Sequence, residues 1–297
     1  MMDLRFYNLA ISPLGLVGPA QAQYVRQVQE HLDWIHRAIS GRLLLDCIRR
    51  AAVPVEIRPF RSRARSHATG GGELKPGAGA PTGFVSFSPA AASKHGALRL
   101  LPENDRSGRL PDEILFHELV HVMRNVTGTW DPAPPLSAAM RHYGNNEEFI
   151  AVLCTNIYVS DGSNQIKSGL RAGHQGYAAM DPGDALRFGL FASSRNAFAL
   201  VGKFCADNPL FTKALGEQLA DIPYNPVAEY YAYREVCAAL STLGAIRDRL
   251  QETRVAAAPG RDRQRTAYGC DQKMQCDQQG DCNIESSYSP TDATDAE

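Results

Sequence analysis

No apolar run in this sequence approaches the roughly 18 residues that a membrane-crossing helix needs, so no span is expected. Charge of one sign is also missing. Lys and Arg number 31 against 32 Asp and Glu, and no basic stripe is interleaved with aromatics, which excludes nucleic acid as the expected partner. The opening residues lack the basic, apolar and small-residue order of a secretory signal peptide, so export by the general secretory route is not expected. Cysteine is sparse and odd in number, at seven. Cys47, Cys154, Cys205 and Cys237 lie in apolar helical stretches and read as buried free thiols. Cys270, Cys276 and Cys282 sit in a polar tail without the C-x-x-C spacing of a zinc knuckle. An odd count with no signal peptide points to a reducing compartment. The glycines between 66 and 83 are not followed by Gly-Lys-Ser/Thr, so they form no phosphate-binding P-loop, and a connecting loop is expected there. No internal repeat is visible.

What is present is His117-Glu118-Leu119-Val120-His121, inside PDEILFHELVHVMRNVTG. Residues four apart share one face of a helix, so His117 and His121 can aim two imidazole nitrogens at one ion. Glu118 then lies toward the ion's open side, where a general base is needed. By chance, about one chain in a hundred with only 8 histidines in 297 residues would carry this motif. The competing reading is an amphipathic helix with two solvated histidines. The flanks favour a helix: Pro111 suits its first turn, Asp112 and Glu113 complement its positive end, and Gly128 follows as a stop. Ile114, Leu115, Leu119 and Val122 supply an apolar stripe, which makes the helix mostly buried. Buried histidines need partners, and zinc (Zn2+) supplies one.

A catalytic zinc takes three protein ligands and keeps one position open, so a third ligand must follow. The segment NNEEFIAVLCTNIY, residues 145 to 158, has a helical core stripe of Phe149, Ile150, Leu153 and Ile157, with Glu147 and Glu148 at its start. Either acid is a candidate, and both also suit a helix N-terminus without any metal. Here the sequence resembles the gluzincin metallopeptidases, whose ligand glutamate is followed at the third place by a small residue. Glu148-Phe149-Ile150-Ala151 matches that register, whereas Glu147 would put Ile150 there. The resemblance therefore implies zinc held by His117, His121 and Glu148. The family's next aspartate is replaced by Val152, which leaves Glu147 to brace a zinc histidine instead.

The likeness is wider than one motif. RFYNLAISP, FHELVHVMRNVTG, NNEEFIAVLCTNIYVSDG, LRAGHQGY and IPYNPVAEY together resemble the bacterial effector metallopeptidases of the NleD-like kind, which pathogens inject into host cells. These segments cover roughly residues 4 to 235 with gaps. The resemblance implies a zinc endopeptidase secreted into the host cytoplasm and acting on a folded protein. Host mitogen-activated protein kinases are the precedent in that family. A monomer is expected.

The remaining pattern reads as α+β: a zincin-like peptidase with a small sheet beside the zinc helix and a mostly helical C-terminal part. Helices are expected over Gln21 to Ile39 and Gly41 to Ala51, then a strand over Val53 to Pro59. Further strands are expected over Gly83 to Ser88 and Ala97 to Leu101, where a substrate could add as an extra strand. From Asp184 onward the pattern is helical through Leu250. Residues 1–254 form the expected peptidase domain, and 255–297 a polar, disordered tail. The arginines Arg58, Arg61, Arg63 and Arg65 read as a solvated loop.

In the implied chemistry Glu118 takes a proton from the attacking water and returns it to the leaving amine. His174 and Tyr177, between Gly173 and Gly176, are the first candidates to stabilise the oxyanion, with Arg171, Tyr143 and Tyr158 behind them. Two other classes fit the same motif: a non-catalytic target-binding module with a structural zinc, and an antibacterial toxin using the same site.

Overall fold

The computed structural model describes residues 1–60, 68–73, 82–89, 107–135, 138–162, 169–174, 178–256, 274–276 and 282–284. The chain divides into two units, Met1–Leu240 and Ser241–Glu297. In the first, a short strand β1 (Leu9–Ile11) leads into two helices, α1 (Gly18–Arg37) and α2 (Ile39–Ala51). Tyr24, Val28, Leu32 and Ile35 form the buried stripe of α1, and Leu44, Leu45 and Ile48 that of α2. The pair acts as a crossover, which returns the chain to lay β2 (Val55–Pro59) parallel to β1.

β2 alternates as the sequence suggests, with Val55 and Ile57 buried and Glu56 and Arg58 half-buried. It pairs in parallel with β4 (Thr82–Phe87), in register Val55↔Gly83 and Ile57↔Val85. The loop expected over residues 66 to 83 is in part a strand. β3 (Ala68–Glu73) runs antiparallel to β4 and completes the order β1-β2-β4-β3. Three glycines hide any alternation in that segment, and the ladder with β4 makes the strand. The expected strand Ala97 to Leu101 lies outside the described residues, as do Arg61, Arg63 and Arg65. Arg58 is not merely solvated. It lies over the Phe84 ring at 4.1 Å and donates to the Ser86 hydroxyl.

The motif helix α3 (Pro111–Val126) packs on β3 and β4 and on α1 and α2. Gly83 permits the close approach to the sheet. A Cβ there would meet Val122 Cγ1 at 2.9 Å and Val55 Cγ2 at 3.0 Å. Pro111 occupies the first turn as expected, and Glu113 reaches back to the Leu110 N–H. The second site helix, α4 (Asn146–Ser160), is buried on every side from Phe149 to Tyr158, not along one stripe. A helix apolar all round belongs inside, and α4 is covered by α3, α2 and α6 (Arg195–Asp207). Its C-cap, Asp161, accepts from the Ser40 N–H and hydroxyl and so caps α2 as well.

α5 (Gly189–Ser193), α6, α7 (Pro209–Gln218) and α8 (Pro226–Ala256) bear out the helical C-terminal part. Asn225 serves two helices, donating to Leu215 and Leu219 carbonyls at the end of α7 and accepting from Ala228 at the start of α8. Of the four helical cysteines, Cys154 and Cys205 are buried thiols, while Cys47 and Cys237 are only half-buried because their helix faces are partly open. In the second unit β5 (Met274–Cys276) and β6 (Cys282–Ile284) pair antiparallel, within the stretch expected to be an unstructured tail. Cys276 stands opposite Cys282 in that ladder, and Cys270 lies outside the described residues. Among the described residues no helix is long and apolar enough to cross a membrane.

Candidate metal centre

Four turns of α3 place His117 and His121 on the face that meets the start of α4. Their Nε2 atoms are 3.1 Å apart. Asn145 caps α4 by accepting from the Glu148 N–H at 2.8 Å, which fixes the first turn and directs the Glu148 side chain to the histidines. Glu148 Oε2 lies 3.1 Å from His117 Nε2 and 3.3 Å from His121 Nε2. Two imidazole lone pairs facing each other at this range repel unless a proton or cation lies between them. Donors held tetrahedrally at the usual distances from one zinc ion sit about 3.3 Å from each other. The donor set and its spacing therefore fit such an ion.

Glu147 points the other way and is fully buried. Its Oε1 is 3.4 Å from His121 Nδ1, and its Oε2 accepts from Arg124 Nε at 2.7 Å and from the Asp131 N–H at 3.2 Å. The outer nitrogen of His121 is thus oriented by a carboxylate that is itself held by a buried arginine. This is the brace that Val152 cannot provide. Among the described residues His117 has no such support, and its Nδ1 is buried without a hydrogen-bond partner there.

Electrostatics follow the burial. Desolvation pushes the His117 imidazole down to about 3, with the neighbouring His121 adding to the effect. Burial also opposes charge on His121, but its bonds to Glu147 and Glu148, with the nearby Glu118, outweigh it and hold the group up at about 10. Burial would raise Glu148, yet the His117 and His121 contacts keep its carboxyl well below the usual carboxylate range. The cluster holds an anionic oxygen against imidazoles, a charge pattern suited to a cation. Glu118, half-buried on the same helix, lies close enough to influence His121.

Residues 18–165 match the family model Peptidase_M91, described as effector protein. That span runs from the start of α1 to just beyond α4, so the M91-like segment contains His117, Glu118, His121, Glu147 and Glu148. It ends before His174. No curated protein and no solved structure matches the chain.

Outside the M91-like segment, the stretch of residues 169–174 brings His174 to the site. His174 Nε2 lies 3.4 Å from Glu148 Oε2, and its ring stacks on His117 with centroids 5.7 Å apart. Gly173 makes this possible, since a Cβ there would stand 2.3 Å from His142 Cδ2. Tyr177 and Gly176 lie outside the described residues. Two oxyanion candidates are corrected. The Tyr158 hydroxyl is buried and donates to Asp112 at 2.8 Å, and Tyr143 is buried edge-on against Phe149. Both sit in α4's packing, not on an open face. Arg171 directs its Nη2 to the His174 carbonyl instead of an open position.

Three contributors escaped the sequence reading. Arg124 follows His121 by three residues, so helical spacing alone puts it on the histidine face. Trp130, 39% exposed, presents its ring to His121 at 5.5 Å. Asn156, in the TNIY run, binds the Arg171 backbone in both directions, donating to its carbonyl at 2.9 Å and accepting from its N–H at 2.8 Å. Only the last two needed the fold to be found.

Proposed function

We propose that this chain is a zinc-dependent endopeptidase of the bacterial effector kind, with a zincin-like arrangement, that cleaves a host protein. The observation that carries this reading is the meeting of His117 Nε2, His121 Nε2 and Glu148 Oε2 within 3.1–3.3 Å of one another. The match to an effector peptidase family over the segment that supplies all three residues supports it.

His117, His121 and Glu148 would hold the ion. When bound, zinc supplies Lewis acidity and a nucleophile at neutral pH. Glu118, one residue after His117 and close enough to influence His121, takes the proton of the attacking water and delivers it to the leaving amine. Glu147 keeps His121 in the tautomer whose Nδ1 carries the proton, leaving Nε2 free to ligate. Arg124 neutralises Glu147, so this orientation does not add a second uncompensated charge beside Glu148. His174, the most exposed of the histidines around Glu148, is placed to donate to the oxygen on which charge develops. β3 is the outer strand of the described sheet and packs beside α3, so an extended substrate segment can add along it toward the site. The target class is a folded host protein, with signalling kinases the precedent from the resemblance.

The test is incubation of host-cell lysate with the wild type and with Glu118→Ala, followed by identification of new protein N-termini. New termini produced by the wild type alone support the reading. Identical termini with both proteins, or none at full zinc loading, overturn it.

A further inference from the structure

Resting on the peptidase reading above, we infer that Trp130 is the wall of a specificity subsite, which takes a large apolar side chain of the substrate one or two residues from the scissile bond. Among the described residues, Trp130 is the exposed large apolar side chain whose ring meets a histidine of the site. Its indole lies 5.5 Å from the His121 imidazole, at an angle of 61°. His121 is almost fully buried, yet Trp130 beside it keeps 39% of its surface open. A tryptophan brings one of the largest apolar surfaces of any side chain, and it dominates binding where a partner covers it.

The ring is open but its backbone is held. The Thr129 N–H donates to the Arg124 carbonyl at 2.8 Å, and the Thr129 carbonyl accepts from Arg124 Nη2. On the other side the Asp131 N–H donates to Glu147 at 3.2 Å, and the Asn146 side chain donates to the Asp131 carboxylate. The Asn146 N–H also donates to the Ala133 carbonyl at 2.9 Å. The Arg124–Glu147 pair that steadies His121 therefore steadies the residues on both sides of Trp130. The N–H and C=O of Trp130 itself have no hydrogen-bond partner among the described residues. A fixed residue with unused main-chain groups can bond an extended peptide while its ring receives a side chain.

Charge decides the class of that side chain. An indole face beside uncompensated carboxylates would favour a cation. Here the nearby carboxylates are compensated: Lys203 Nζ stands 3.8 Å from Asp131 Oδ2, and Arg124 Nε 2.7 Å from Glu147 Oε2. The chain continues through exposed Pro132, Ala133 and Pro134, which add no charge. The ring thus offers apolar surface, which selects leucine, isoleucine, methionine or an aromatic residue. An extended chain advances about 3.3 Å per residue, so a ring this close to His121 reaches one or two places from the cut.

Peptides from a host-cell lysate, incubated with zinc-loaded wild type, Trp130→Ala, Trp130→Phe and Glu118→Ala, test this through the sequences at the new termini. Wild-type cuts should be enriched in large apolar residues at one fixed position within two of the bond. For the best-cut peptide and its twin with alanine at that position, the wild type should discriminate by about tenfold or more in kcat/KM, and Trp130→Ala by less than about threefold. Trp130→Phe should keep the enrichment with a lower ratio. Circular dichroism and zinc content establish that each variant is folded and loaded. Enrichment that survives in a folded, loaded Trp130→Ala overturns the subsite and leaves the peptidase reading intact. So do wild-type cuts flanked by basic residues or by no preferred class. If Trp130→Ala does not fold, Trp130→Phe carries the test, and an unchanged ratio there overturns the subsite. Absence of new termini from the wild type refutes the peptidase reading, and the subsite with it.

Discussion

Replacing Glu147 by glutamine separates two effects that the site combines. The substitution preserves volume and leaves an oxygen near His121 Nδ1, but removes the charge that neutralises Arg124 at 2.7 Å. Both partners are almost fully buried. Removing one member of such a pair costs about 3–5 kcal/mol, because the other charge is stranded without solvent. That is a large share of the roughly 5–15 kcal/mol by which a native protein is stable. The metal effect is smaller. Loss of a residue that only orients a ligand weakens metal binding by about 10- to 100-fold, or about 1.4–2.7 kcal/mol. Glu147→Gln should therefore lose more stability than zinc affinity. Glu148→Ala should do the reverse, since Glu148 is partly exposed and has no buried arginine to strand. Adding Arg124→Met to Glu147→Gln should recover most of the stability and none of the affinity. Urea unfolding of the metal-free proteins and chelator competition of the folded ones give the two quantities. If Glu147→Gln empties the site while Glu148→Ala leaves it full, the roles of the two glutamates are exchanged and the reasoning fails. If Glu147→Gln leaves the unfolding midpoint unchanged, the Arg124 pair is not what the burial implies.

Glu118→Gln should abolish hydrolysis with zinc stoichiometry retained, and metal content as low as that of His117→Ala would show that Glu118 is a ligand. Gly83→Ala should destabilise the first unit by about 1–3 kcal/mol through overpacking against Val122 and Val55, read as a lower urea midpoint. An unchanged midpoint would mean that α3 can retreat from the sheet without cost. Deleting residues 257–297 should leave zinc binding and the thermal transition of the first unit unchanged, because every proposed ligand and, among the described residues, the whole buried core lie before Leu240. A cooperative loss of stability would place that segment in the core.

The sequence by itself determined the local features. Pro111, the acids after it and the stripe through Leu119 define α3, and the four-residue spacing of His117 and His121 guarantees a shared face in any helix. The register of Glu148 over Glu147 was legible only through the resemblance, and the geometry agrees with it: Glu148 faces both Nε2 atoms while Glu147 faces Nδ1. Such signals are short-range, carried by residues within a turn or two of each other. The tertiary structure alone decided what depends on distant partners. A run of glycines became the edge strand β3 because β4 offered a ladder. α4 became a fully covered helix because other helices surround it, which its own periodicity cannot express. Tyr143 and Tyr158 were taken out of the chemistry by that same burial. The Arg124–Glu147 pair, the Asn156 hold on Arg171 and the approach of His174 to Glu148 join residues 23, 15 and 26 positions apart. No local pattern encodes such meetings, because chain entropy opposes each one until packing of the whole core brings the partners together.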